Sequence, residues 1–296
     1  MSIRRSIGIL RSRVRHELRF LYGRAWRIRS IGKTDAARKA VSCLQQRQEN
    51  LFFVTGMGRS GTQLISRLLD KTVLAKVYHE PNFREDVATM EALRRDPYLA
   101  EKYWALFRSL EIYKRWVAEP SKPLYGEVNG TIRYQVPAIR KVYPKAKLML
   151  MVRDGRGVVR SIMGWPQFYS RGSSGAYALA PLPGDPYLDE WHSMSRFEKV
   201  CWSWRETNEF LMKYIDKSHW LKLEGITNDY DYFEEQFSKS IGIDISYDTW
   251  LSVVGAKSSN ATSSYNFPSW EDWTHNQRAA FDRICGETMD KLGYEL

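Results

Sequence analysis

Cysteine is scarce in this chain of 296 residues: Cys43, Cys201 and Cys285 are an odd number, widely spaced, with no CxxC pair and no cysteine–histidine cluster. That argues against a disulfide framework or a zinc site and fits a reducing compartment. No apolar run approaches the roughly 20 residues of a membrane span, and the first residues lack the apolar core of a secretory signal. The expected location is the cytoplasm or the periphery of a membrane surface. Internal repeats are missing as well. Core-forming residues, in contrast, are plentiful: 43% of the chain is apolar and 14% aromatic. That is enough for one large folded domain with an extension, and it excludes a chain disordered throughout.

The net charge of +11 suggests nucleic acid until it is mapped. Residues 1–40 hold twelve Lys or Arg against Glu17 and Asp35 and so supply +10 of it, leaving the remainder nearly neutral. In the same segment Ile3, Ile7, Leu10, Val14, Leu18 and Leu21 recur at helical spacing. Such a basic amphipathic helix fits a solvated or packing helix, contact with an anionic membrane surface, or a transit or nucleic-acid segment. The chain accordingly divides into a basic extension, 1–48, and one domain, 49–296, with no specific nucleic-acid partner expected.

From residue 51 strand-like and helix-like signals alternate, the mark of an α/β domain built on a parallel sheet. Strands are expected over 51–55, 75–78, 147–152 and 220–223. Helices are expected over 63–71, within 84–118, and over 132–143, 158–163, 196–215, 230–240 and 274–291. Residues 164–195 mix Gly, Pro and Ser with Trp165, Phe168, Tyr169, Tyr177, Tyr187 and Trp191. A connection of that length is a candidate lid over an acceptor, its aromatics either stacking on that acceptor or anchoring the loop.

The first strand runs into "GMGRSGT", Gly56–Thr62. Gly56 and Gly61 have the separation of a nucleotide-binding loop, but Thr62 stands where its lysine belongs and Gln63 where its magnesium ligand belongs. Backbone N–H groups at a helix start still suit an anion, and the charge has moved to Arg59 inside the loop. The loop therefore suits a tetrahedral oxyanion without a metal. After strand 147–152 comes "VRDGRGVVRS", which places Arg153 at the strand end and Ser161 on the following helix. Carboxyl ends of parallel strands are where open α/β sheets bind ligands, so these two residues form a second oxyanion site. Two sites imply a ligand with two separated anionic groups.

These stretches, "GMGRSGTQLISRLL" and "KLMLMVRDGRGVVRSIM", with "CWSWRETNEFL" and the ending "RAAFDRICGETMDKLGYEL", resemble the sulfotransferases that use 3′-phosphoadenosine 5′-phosphosulfate (PAPS). The spacing of loop and base is similar to the tyrosylprotein and carbohydrate members, and the likeness spans roughly 50–295. It implies a P-loop-like three-layer α/β/α fold with a central parallel sheet, PAPS as co-substrate and no metal. By the resemblance, Gly58, Arg59, Ser60, Gly61, Thr62 and Gln63 hold the 5′-phosphosulfate, while Arg153 and Ser161 hold the 3′-phosphate. Lys257 and Ser259 belong to a late segment covering the donor.

Glu80, 21 residues after Arg59, matches the family's catalytic glutamate, and adjacent His79 is its rival as base. Neighbouring strand residues point to opposite faces, so one of the two faces the donor. A HExxH zinc site is excluded, since "HEPNF" has no second histidine. One departure stands out: where many relatives carry a lysine near the sulfuryl group, this chain has Val128 and Asn129. The expected acceptor is a hydroxyl on a glycan, lipid, small metabolite or tyrosine, and a homodimer stands among the partner expectations. The rival readings are a P-loop kinase of small molecules and a binding module recruited through residues 1–40.

Overall fold

The computed structural model of the protein describes residues 35–81, 87–165, 168–169, 179–256 and 267–295, with only the backbone for 87–89. Its centre is a five-stranded sheet, β1 Leu51–Gly56, β2 Ala75–His79, β3 Leu124–Val128, β4 Lys147–Val152 and β5 Trp220–Lys222, in the order β2-β3-β1-β4-β5. Every neighbouring pair is parallel. A parallel sheet needs helical crossovers, and these cover both faces. The chain thus has the α/β architecture on a parallel sheet that its alternating signals predict, in the three-layer arrangement that the resemblance implies.

The strand period of two divides the core. Phe53, Leu148, Leu150 and Val152 enter one cluster, with Trp104, Trp202, Trp204 and Phe281 from helices on that side. Phe52, Val54, Met149 and Met151 enter the other, with Ile65, Leu68, Phe233, Phe237 and Trp250. Alternation along fully buried strands therefore assigns each residue to a layer, rather than to core or solvent. Trp202 and Trp204, two apart on one helix, are both fully buried.

Strand β3 is the element that sequence patterning does not reveal. "LYGEV" contains a glycine and a glutamate, both poor strand formers. Tertiary contacts explain both. The ring of Phe52 fills the space where a Cβ on Gly126 would stand. Glu127, with no exposed surface, is neutralised by the equally buried Arg108 at 2.5 Å and accepts from the Tyr125 hydroxyl at 2.9 Å.

The expected helix over 132–143 is a 3-10 turn, Gly130–Gln135, followed by an α-helix, Val136–Val142. Asn129 caps the first by accepting from Thr131 N–H at 2.9 Å, and Pro144 restricts the residue at which the second ends. The helix near 230–240 is divided by a π-turn, Glu234–Ser238. Three further helices, Asp35–Gln46, Leu223–Asn228 and Tyr247–Val254, lie where no expectation placed one. The first buries Ala37, Ala40 and Leu44. Residues 1–34 of the basic segment, with Lys257 and Ser259, lie outside the described residues.

Candidate functional site

The strand order arranges the candidate residues in a row along the carboxyl edge of the sheet. Glu80 follows β2, the Asn129–Thr131 turn follows β3, the glycine loop follows β1, and Arg153 follows β4. Neighbouring strands lie about 4.8 Å apart. Arg153 therefore starts one strand to one side of the loop, and Glu80 two strands to the other. The chain switches from one side of β1 to the other between β3 and β4, which is where such sheets open a ligand crevice.

The loop itself is tightly built. Ser60 N–H donates to the Met57 carbonyl at 3.2 Å, and Leu64 N–H donates back to Gly61 at 2.9 Å. Gly61 sits at φ 100°, immediately before the helix Thr62–Leu69. A Cβ there would lie 2.5 Å from the Leu223 Cδ1, so both conformation and space require glycine. Ser60 and Thr62 are buried and Gly58 is exposed. Helix starts offer N–H groups that lack intrahelical acceptors, and Thr62 and Gln63 open this one.

Arg59 is half-buried and also left-handed, at φ 76°. Its side chain extends toward the helix after β4, where its Nε donates to the Ser161 Oγ at 2.7 Å. Arg153 Nη1 in turn donates to the Arg59 carbonyl at 3.1 Å. The Arg153 guanidinium lies against Gly157, its Nε and Nη2 3.2 Å from where a Cβ would stand. Ser161 is fully buried, yet its hydroxyl accepts from Arg59 and retains a proton to donate. Asp154 spends its carboxylate locally, on Arg156 at 2.6 Å and on the helix N–H of Arg156 at 2.8 Å. Three residues read separately from two motifs thus meet at one electropositive point.

On the other flank, Glu80 is half-buried at φ 44° and donates its N–H to the Val128 carbonyl at 3.1 Å. Its Oε1 lies 3.5 Å from where a Cβ on Gly130 would stand. That same point is 3.4 Å from the Gly56 carbonyl, at the mouth of the glycine loop. The glutamate carboxylate therefore faces the loop entrance across the β3 turn. His79 is exposed. Asn129 is fully buried and turned inward: its Oδ1 accepts from Thr131 N–H and Oγ1, and its Nδ2 donates to Glu127 at 3.5 Å. A cation does lie by this turn, since Arg133 Nη1 donates to the Gly130 carbonyl at 2.7 Å.

Several residues of the site escape motif reading. Trp165, 38% exposed, lies under Arg59 with 5.2 Å from guanidinium carbon to ring centre. Arg196 fixes the chain there by donating to the carbonyls of Ile162, Met163, Trp165 and Phe168. Glu224, after β5, accepts from Asp154 N–H at 3.2 Å and from the Tyr294 hydroxyl at 2.8 Å. Burial, and then the Glu224 charge, push the Tyr294 phenol up. This bond ties the end of the chain to the loop that carries Arg153. No sequence spacing signals it, because the partners are 70 residues apart.

Of the aromatics in 164–195, Tyr169, Tyr187 and Trp191 serve as anchors. Tyr169 donates to the Leu179 carbonyl at 3.0 Å, Tyr187 to the Arg283 carbonyl at 3.1 Å, and Trp191 packs edge-on against Trp202. Tyr177 lies outside the described residues.

No family model matches the chain, and no curated protein matches it. Among solved structures it is similar to the sulfotransferase STF9 from Mycobacterium avium, at 13% sequence identity and a TM-score of 0.49, over 88% of this chain and 85% of that one.

Proposed function

We propose that this chain is a sulfotransferase that moves the sulfuryl group of PAPS to an acceptor hydroxyl. The observation that carries the proposal is the row of groups along one sheet edge: a carboxylate, a glycine-loop helix start, then two arginines and a buried serine hydroxyl that meet. A donor with a 5′-phosphosulfate and a 3′-phosphate needs two anion positions, and an attack on sulfur needs a base on the far side of the first. The residues present fit such a donor, with Ser161 and Arg153 at the 3′-phosphate end, and Arg59 with the helix start at Thr62 and Gln63 at the other.

When bound, PAPS supplies the sulfuryl group and a bisphosphate leaving group. Glu80 accepts the acceptor proton as that oxygen bonds to sulfur, and the bond from sulfur to the bridging oxygen breaks. The loop N–H groups and the nearby guanidinium stabilise the charge that grows on the departing phosphate oxygen. This is positioning and electrostatics, as in phosphoryl transfer. Leu223, packed against Gly61, and the turn at Asn129–Thr131 hold the loop and the base in register. The acceptor class we propose is a hydroxyl on a glycan, lipid, small metabolite or tyrosine.

The test uses PAPS carrying labelled sulfate, an extract of the source cell as acceptor, and the Glu80→Gln variant. Labelled product is expected with the wild type. In the variant turnover falls by on the order of a hundred- to ten-thousandfold, while adenosine 3′,5′-bisphosphate still binds. Near-normal turnover would remove Glu80 from the reaction. Failure of the wild type to bind the bisphosphate would remove the function.

A further inference from the structure

Arg133 lies on the 3-10 turn Gly130–Gln135 that follows β3, the strand between those that lead to Glu80 and to the glycine loop. Such a turn places residues i and i+3 above one another, and Arg133 Nη1 donates to the Gly130 carbonyl at 2.7 Å. Glu80 lies against the same glycine, its Oε1 3.5 Å from where a Cβ would stand. The base and the guanidinium therefore flank Gly130, yet they form no ion pair with each other. Arg133 is half-buried, and its Nε is shielded from water with no acceptor among the described residues. Comparable guanidiniums have a carboxylate: Arg94 holds Glu206, Arg108 holds Glu127 and Arg205 holds Asp185. Among the described residues Arg133 has none. What lies against it is the Tyr134 ring, 5.3 Å from the guanidinium carbon. Burial pushes the Tyr134 phenol up, and its hydroxyl is bonded to Thr207 at 3.1 Å, so it stays neutral and offers no counter-charge. A shielded cation of this kind calls for an anion from elsewhere.

We infer that Arg133 is an acceptor-binding residue, and that the acceptor carries an anionic group, a carboxylate or a phosphate, close to the hydroxyl that receives the sulfuryl group. The inference rests on the functional reading above and deepens it by naming the acceptor's charge. The two anions of the donor have their places at the glycine loop with Arg59 and at Arg153 with Ser161, after β1 and β4. Arg133 follows β3 and lies on the other side, with Glu80, where the hydroxyl approaches to give up its proton. Its charge also acts on the Tyr169 phenol, in the long segment that is the candidate lid. With Nη1 on the Gly130 carbonyl, Nη2 is left to donate to the acceptor in a charge-assisted hydrogen bond.

The experiment fractionates an extract of the source cell by anion exchange and offers each fraction as acceptor, with PAPS carrying labelled sulfate. Wild type is expected to label the retained, anionic fraction. Phosphatase treatment abolishes that acceptor if its anion is a phosphate and spares it if the anion is a carboxylate. In Arg133→Gln the amount of this fraction needed for half-maximal rate rises by about thirtyfold, the loss of one charge-assisted contact. Half-saturation by PAPS and the rate at saturation hold. Arg133→Lys, the more conservative variant for folding, keeps the charge and recovers part of the loss. A purely structural role through the Gly130 carbonyl would instead displace Glu80 and lower the saturated rate, with acceptor half-saturation unchanged. That result, a shift in PAPS half-saturation alone, or labelling confined to the unretained fraction would overturn the inference while leaving the enzyme reading intact. If the wild type labels no fraction, the functional reading itself fails.

Discussion

Replacing Arg108 with methionine strands Glu127, and the cost can be worked from the contacts. Both side chains have no exposed surface and are paired at 2.5 Å. Glu127 keeps the Tyr125 hydroxyl at 2.9 Å, a long Asn129 contact at 3.5 Å and Arg115 at 3.8 Å. Breaking a buried pair by removing one partner costs about 3–5 kcal/mol, because the remaining charge is left without compensation. The Arg115 charge and the tyrosine hydroxyl place this case near 3 kcal/mol. Domains are stable by about 5–15 kcal/mol, so the variant loses a large share, visible as a fall in Tm of roughly 10 °C. Adding Glu127→Gln removes the stranded charge, and glutamine still accepts from Tyr125. The double variant is expected to recover at least half of the loss. Urea unfolding of wild type, both single variants and the double variant gives the coupling directly. A cost below about 1 kcal/mol for Arg108→Met, or strict additivity in the double variant, would refute the assignment of the strand's stability to this pair. Because Glu127 contacts Asn129, and Asn129 caps the turn against which Glu80 lies, the Arg108 variant is also expected to lose turnover before it unfolds.

Two further outcomes are accessible to simpler measurements. Gly61→Ala combines a left-handed backbone with a Cβ 2.5 Å from Leu223; it is expected to cost about 1–3 kcal/mol in thermal unfolding and to weaken bisphosphate binding, and an unchanged affinity would show that the loop tolerates the shift. Glu198, whose carboxyl burial tends to raise, is nonetheless held below the usual glutamate value by the Ser195 backbone and hydroxyl and by Arg283. Its contribution is therefore present above the ordinary glutamate range and lost as pH falls through the lowered value. Glu198→Gln should be less stable than wild type by about 0.5 kcal/mol at pH 7, with the two converging as pH falls through the lowered value; a gap that persists in acid would show that the charge is not its cause.

Much of the candidate site was legible because it is local. A glycine turn between a buried strand and a helix needs only adjacent residues, and "GMGRSGT" states that turn. The same holds for "VRDGRG", where Asp154 caps the helix that follows. Strand β3 was not legible, since its glycine and glutamate are explained by Phe52 and Arg108, partners far away in the chain. The helix Leu223–Asn228 was missed because a three-residue strand passes straight into it.

By itself the sequence determined the α/β alternation, the two glycine-containing loops at strand ends and the carboxylate at the end of the second strand. Each depends on periodicity or on backbone geometry over a few residues. Only the tertiary structure decided that β1 and β4 are neighbours, and therefore that Arg59, Arg153 and Ser161 meet at one point. It also decided that Glu80 faces the loop across Gly130 while His79 faces outward. Strand order and side-chain direction follow from how the whole core packs, and no local spacing carries that information.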